Sequence, residues 1–262
     1  MIVQKNLPFF NVAANGVASL TLPLGMTYER IIFVLGGTAF TKAMITDLKV
    51  KINGKVIVQT TGTLLDKMMV YRGLVTDATH LCLDFSELFA RDEVGQSIGA
   101  VSTAEGVSML TIEATITGAT LPTLESYSVL SGPKKLGVIA KTLSYNATIG
   151  AAGKFPITLP FGVNGGSIIK RVHIFHTSMT ALEVKKNGLV IHDTVDSINK
   201  FIQTENKKVT AAGQYVCDFV VDNNQSGMLV TADARSMEWN ATFSAADTVT
   251  VQVEYLDMLG NL

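Results

Sequence analysis

The chain has 262 residues, with 21 Lys and Arg against 22 Asp and Glu, a formal net charge of −1 at pH 7. That balance lacks the basic footprint of a nucleic-acid binder, so no direct sequence-specific nucleic-acid binding is expected. Only 16% of residues are charged, against about 25% in ordinary soluble domains, and this apolar surplus excludes intrinsic disorder.

No stretch reaches the roughly 18–20 apolar residues that a spanning helix needs. The strongest run, Ile31 to Ala39, is broken by Gly36, Gly37 and Thr38. Met1 to Asn15 carries Lys5, Pro8 and Asn11 and no apolar h-region, so assembly in a host cytoplasm is expected. One Trp and 7% aromatics do not provide the girdles of an outer-membrane barrel. The spare apolar surface is expected to be covered by neighbouring subunits.

In chain order, Gly16-Val-Ala-Ser-Leu-Thr21-Leu-Pro23-Leu-Gly25 opens the first readable block. Ile31 to Leu35 is continuous and apolar, as in a central strand covered on both faces. Leu48, Val50 and Ile52 alternate with Asp47, Lys49 and Lys51, and Asn53-Gly54 then leads into Lys55-Val56-Ile57-Val58. Two such runs joined by Asn-Gly predict a hairpin, because a type I′ turn needs positive φ at both central residues. Thr63 followed by Asp66 reads as a capping box before Leu64, Leu65, Met68 and Met69, with Gly73 as the stop. Alternating residues from Leu110 to Ile116 predict a half-buried strand. Leu121-Pro122 through Lys135 carries breaker chemistry, which places a join near Tyr127.

The blocks then return. Thr158-Leu-Pro160-Phe-Gly162 repeats Thr21-Leu-Pro23-Leu-Gly25 at a distance of 137 residues. Ile169 to Ile174 matches Glu29 to Val34, Leu182 to Ile191 matches Leu48 to Ile57 with Asn187-Gly188 at the second hairpin, and Asp218 follows Asp84 by 134. Thr250 to Tyr255 is aligned with Thr111 to Ile116. A second short helix, lying like the first across a sheet, is expected from Asp196 or Ser197, with Ile198, Phe201 and Ile202 at helical spacing. The fixed order of the blocks marks a tandem duplication. The expectation is an all-β chain of two tandem eight-stranded jelly rolls, residues 1–126 and 127–262, each with a short helix after a hairpin.

Catalytic chemistry finds little support. Cys82 and Cys217 lie in apolar strands and read as small buried thiols, and His80 beside Cys82 has no orienting third group. His173 and His176, three apart in a strand, point to opposite faces and do not form a metal pair. His192-Asp193 are neighbours in sequence only. Asp84 and Asp218 occupy equivalent places in separate halves, so they read as structural residues bonding a turn. Asp222-Asn223-Asn224 offers oxygen ligands for Ca²⁺ without any known loop spacing and reads as a polar turn. No cofactor, metal site or enzymatic activity is expected. The residues singled out are the structural turns Asn53, Gly54, Asn187 and Gly188.

Two similar sandwiches in one chain allow a ring of three copies to present six near-equivalent lobes. The opening Lys5-x-Leu-Pro-Phe, Asn15-Gly16, Leu22-Pro-Leu-Gly25-Met-Thr-Tyr28, Phe40-Thr41, Asn53-Gly54 and Leu83-Asp84-Phe85 resemble the N-terminal jelly roll of the P2-type major capsid proteins of tailless, membrane-containing bacteriophages, the corticoviruses and autolykiviruses. The resemblance is clearest over about the first 120 residues. It implies a non-enzymatic virion protein whose homotrimers form pseudo-hexagonal capsomers of an icosahedral shell over an internal membrane. It also implies contacts to neighbouring capsomers and to vertex, minor capsid or membrane proteins. Some members bind calcium, but no ligand motif carries over residue by residue. Lys186 in the place of Ile52 implies a less buried strand in the second lobe. Two other classes are a β-sandwich receptor- or carbohydrate-binding module, which would need clustered exposed aromatics where this chain has Trp239 and six scattered Tyr, and a hydrolase on a β scaffold, which would need a base-nucleophile pair that the sequence does not assemble.

Overall fold

Period-two alternation places Ala18, Leu20 and Leu22 on the inner face of β2 (Asn15–Leu22) and Leu48, Val50 and Ile52 on that of β4 (Ile45–Ile52), all of them buried. This computed structural model describes residues 1–163 and 166–261. The chain divides into two units, Met1–Leu143 with Met258–Gly260, and Ser144–Asp257. The first also contains β1 (Ile2–Lys5), β3 (Thr27–Thr38), β5 (Lys55–Thr60), α1 (Gly62–Tyr71), β6 (His80–Asp84), α2 (Glu93–Ser97), β7 (Val101–Ser102), β8 (Leu110–Thr117) and β9 (Leu121–Ser131). One of its sheets runs β1-β9-β3-β6, with β7 on β3, and the other contains the run β5-β4-β8-β2.

The second unit takes in the end of β10 (Val138–Ile149). It continues through β11 (Gly153–Pro156), β12 (Ile168–Phe175), β13 (Met179–Lys186), β14 (Leu189–Val195), α3 (Asp196–Glu205), β15 (Gln214–Asp218), β16 (Leu229–Val230), β17 (Met237–Phe243) and β18 (Asp247–Met258). Its strand orders are β10-β18-β12-β15, with β16 on β12, and β14-β13-β17-β11. Each unit therefore repeats the same pair of four-stranded runs in the same order of connection. The fold is a double jelly roll.

Several expectations change against this frame. Thr111–Ile116 lies in β8, whose partners are β2 and β4; the strand in the same place of the second unit is β17, between β11 and β13. The match to Thr250–Tyr255 followed an alternation that any half-buried strand shows. The breaker-rich stretch from Leu121 is strand β9, antiparallel to β3 from Leu121 to Ser131, so Tyr127 lies inside a ladder. Pro122 stands opposite Gly37. β3 is central, but within its Ile31–Leu35 run Ile31, Phe33 and Leu35 are buried while Ile32 and Val34, on the other face, are half-buried. α1 begins two residues earlier than its capping box suggested: the Thr61 hydroxyl accepts from the Leu64 N–H at 3.2 Å. The first unit has a further short helix, α2, capped by Asp92.

The two long helices differ most. α1 buries Leu65, Met68, Met69 and Tyr71. In α3 the buried side chains are Asn199 and Gln203, whose amides donate to the Val216 carbonyl at 2.8 and 2.6 Å. Ile198, Phe201 and Ile202 face outward, away from the sheet side that Asn199 and Gln203 occupy. Two amides bonded to one backbone oxygen secure the polar face against β15 and leave the apolar face over.

Candidate functional site

The repeated residues do their work at the turns and bulges. Asn53 (φ 51°) and Gly54 (φ 82°) join β4 to β5, and Asn187 (φ 52°) and Gly188 (φ 80°) join β13 to β14. The asparagine side chains also act at long range. Asn53 Oδ1 accepts from the N–H groups of Ser108 and Met109, and Asn187 Oδ1 from those of Arg235 and Ser236. Each hairpin tip is thereby tied to the segment entering β8 or β17, a role that spacing alone did not disclose.

The Thr-Leu-Pro-x-Gly repeat has a similar explanation. Gly25 (φ 104°) and Gly162 (φ 85°) occupy the left-handed region and donate to the hydroxyls of Thr103 at 2.9 Å and Thr231 at 3.1 Å. Those hydroxyls donate in turn to the carbonyls of Met26 and Gly166, both at 2.7 Å. A distant threonine thus closes the turn after β2 in one lobe and the corresponding turn in the other.

A bulge precedes Arg30 in β3 and another precedes Arg171 in β12. The carbonyl of the bulged residue, Glu29 or Lys170, accepts from the N–H of Phe85 or Phe219. Each arginine then stands opposite an aspartate in the adjacent strand, Arg30 at Asp84 and Arg171 at Asp218. Arg30 bonds both oxygens of Asp84 through Nε and Nη2, and Arg171 Nε reaches Asp218 at 3.2 Å. Asp84 and Asp218 are therefore cross-strand ion-pair partners rather than turn caps, although Asp218 also accepts from the Val220 N–H. Sequence alignment set Arg30 against Lys170; aligning the two bulges instead sets Glu29 against Lys170 and Arg30 against Arg171.

The second lobe extends this pair into a buried network. Arg171 Nη1 lies 3.0 Å from Glu254, His173 Nε2 2.7 Å from the same carboxylate, and Lys170 3.9 Å from it. Gln214 bonds His173 Nδ1 at 3.1 Å. Burial pushes the Glu254 carboxyl up, but the Arg171 guanidinium, the His173 bond and Lys170 outweigh it and hold the group well below the usual carboxylate range. In the first lobe Asp84 instead has Arg72 at 3.4 Å, and Arg72 also reaches Glu87 at 3.3 Å. Networks of this kind, fully paired and closed to solvent, fix a core and offer no open position to a substrate.

The other titratable residues are dispersed. His176 Nδ1 accepts from the Met179 N–H, with burial lowering its pKa, so His173 and His176 are engaged separately. His192 bonds the Tyr215 hydroxyl at 2.8 Å, while Asp193 is exposed. His80 pairs with Asp77 at the surface, not with Cys82. Burial raises the pKa of both thiols, most in Cys217. Asp222 and Asn224 accept backbone N–H groups within their own turn, and Asn223 accepts from Lys208, so these oxygens are already used. Trp239 is buried against Phe219 at 6.4 Å and provides no stacking platform for a sugar. Among the described residues, no group of three or more His, Cys, Asp or Glu could hold a metal ion, and no helix is long and apolar enough to cross a membrane.

Family models for the two domains of viral coat protein P2 match the chain, the N-terminal model over residues 3–131 and the C-terminal model over 139–259. The chain belongs to the viral coat protein P2 family. This coat protein is similar to the major capsid protein P2 from bacteriophage PM2, with 20% identity and a TM-score of 0.91, over 98% of this chain and 97% of that one. It is also similar to the STIV major capsid protein, at 14% identity and a TM-score of 0.73, over 98% of this chain and 96% of that one. The PBCV-1 virus capsid model follows at 10% identity and a TM-score of 0.66, over 97% and 92% of the two chains. No curated protein sequence matches this coat protein significantly. The solved structures support the double jelly roll, and the two family models carry the function: a structural viral coat protein, part of a virion and not an enzyme.

Proposed function

We propose that three copies of this coat protein close into a pseudo-hexagonal capsomer, and that such capsomers tile an icosahedral shell over an internal membrane. The observation that carries this reading is the repetition of one pair of four-stranded runs in each lobe. Three two-lobed chains present six similar lobes, which tile a hexagonal lattice under threefold symmetry. We place the join between lobes at residues 132–137, between β9 and β10 and ahead of the second family match, where the boundary at 126/127 drawn from turn chemistry would cut a strand.

The partners in this reading are neighbouring capsomers and the vertex, minor capsid or membrane proteins of the shell, with assembly in the cytoplasm of a bacterial host. The near-zero net charge supports a shell that makes no sequence-specific contact with the genome. Light scattering on the purified chain tests the ring. The expected mass is three times 28.1 kDa, persisting on dilution; a single-copy mass at all concentrations would overturn it.

A further inference from the structure

We infer that the outward face of α3, together with the strand that leads into it, is a contact surface for a second copy of this chain. The inference rests on the ring reading above and adds to it the surface through which copies meet. Val195, Ile198, Phe201 and Ile202 recur at helical spacing and are 49%, 52%, 62% and 40% exposed. Leu189 and Val190, at the start of β14, are 70% and 47% exposed.

Four observations point to protein of the same kind as the occupant. The four residues of the α3 face, Val195, Ile198, Phe201 and Ile202, expose on the order of 400 Å², within the size of the largest apolar patch on a monomer, which is often functional, and about half of the ~800 Å² each partner contributes to a stable interface. β14 is the edge strand of its sheet, so unpaired backbone groups adjoin the patch. The helix is also held in this orientation on purpose-built bonds, because Asn199 and Gln203 satisfy the Val216 carbonyl from the buried side. The corresponding helix of the first unit, α1, turns its apolar residues inward, so the patch has no counterpart there. A surface present in one lobe and lacking in the other suits a heterologous contact, in which each copy's patch meets a different surface of the next and the ring closes.

The full-length chain tests this in two ways. The double variant Ile198→Asp/Phe201→Asp should raise the concentration at which the assembly half-dissociates by ~30-fold or more, as loss of a central apolar anchor does. In a second preparation Phe201 is replaced by the photo-crosslinking residue p-benzoylphenylalanine, which keeps the surface apolar. Irradiation should join chains into covalent species of two and three copies. A normal assembly whose stability is unchanged by the double variant, with no chain-to-chain product from position 201, overturns the inference and leaves the ring intact. A single-copy wild type overturns both. Should the double variant lose its near-ultraviolet circular dichroism, the crosslink alone decides, its absence counting against the surface. Crosslinking only to added phosphatidylglycerol vesicles would assign the patch to lipid and refute a second copy.

Discussion

Arg171→Leu tests the buried network, with Arg30→Leu as its internal control. Arg171 has a side chain 1% exposed and faces two carboxylates, Asp218 at 3.2 Å and Glu254 at 3.0 Å. Removing one partner of a buried pair leaves the other charge stranded and costs about 3–5 kcal/mol. Glu254 retains His173 and Lys170, and Asp218 retains the Val220 N–H, so the expected loss is about 4 kcal/mol. Arg30 is 19% exposed, and Asp84 keeps Arg72 beside it, so Arg30→Leu should cost about half as much. Trp239 is the chain's single tryptophan and lies in the second lobe, so its fluorescence in urea follows the affected unit. With a slope of about 2 kcal/mol/M, the midpoint should fall by ~2 M in Arg171→Leu. Adding Glu254→Gln should recover part of the loss, since the stranded charge is then gone. The sign with pH follows. Glu254 has its pKa depressed in the fold, so its stabilisation is present above its ordinary value of 4.5 and fades as acid lowers the pH through the folded value. The deficit of Arg171→Leu should therefore shrink in acid. A loss under ~1 kcal/mol, or no recovery with Glu254→Gln, would refute the stranded-charge argument.

Two glycines separate steric from conformational cost: a Cβ on Gly37 would stand 1.9 Å from the Leu121 carbonyl oxygen, whereas one on Gly54 meets nothing within 4 Å. Gly54→Ala should lose only about 1–2 kcal/mol from its positive φ, while Gly37→Ala should lose ~3 kcal/mol or more, both read by thermal unfolding. The Asp247 carboxyl is raised by burial but lowered further by the N–H groups of Thr177 and Ser178, to about 2. Its contribution should be present above pH ~4 and lost as the pH falls toward 2, so acid unfolding of Asp247→Asn should be flatter across that window than that of the wild type. Iodoacetamide at neutral pH should leave Cys217 unmodified in the folded chain and label half-buried Cys82 slowly, as mass spectrometry would show; rapid labelling of Cys217 would contradict its burial.

The duplication was legible because turns demand particular residues. Asn-Gly permits two successive positive φ angles, and a glycine in the left-handed region returns at Gly25 and Gly162, so these positions repeat in the chain itself. Strand identity was less legible, since alternation states only that a strand is half-buried. That is why Thr111–Ile116 was aligned with part of β18 when its structural counterpart is β17. The Arg–Asp pairs sit just after a one-residue bulge in each lobe, an irregularity that no local pattern announces. For α3, helical spacing predicted a coherent apolar stripe but could not give its direction. Asn199 and Gln203 decide that by bonding a carbonyl in β15, a partner 17 and 13 residues away.

The lobes share strand order, hairpin tips and bulges, yet differ in what they leave outside. Ile52 is fully buried at the end of β4, whereas Lys186, at the end of β13, carries its ammonium to Asp233 and the Val230 carbonyl. α1 conceals its apolar residues and α3 displays them. Backbone and turn chemistry maintain the common fold, so neither difference is needed for folding. Two identical lobes would leave several relative placements of neighbouring copies nearly equal in energy, because any lobe could replace any other. In the proposed ring, unlike exteriors would remove that degeneracy: a charged strand end in the place of an apolar one would penalise the wrong neighbour, and an open apolar helix would reward the right one. Duplication thus accounts for lobes that resemble each other, and divergence at the surface would let the proposed ring close in one register.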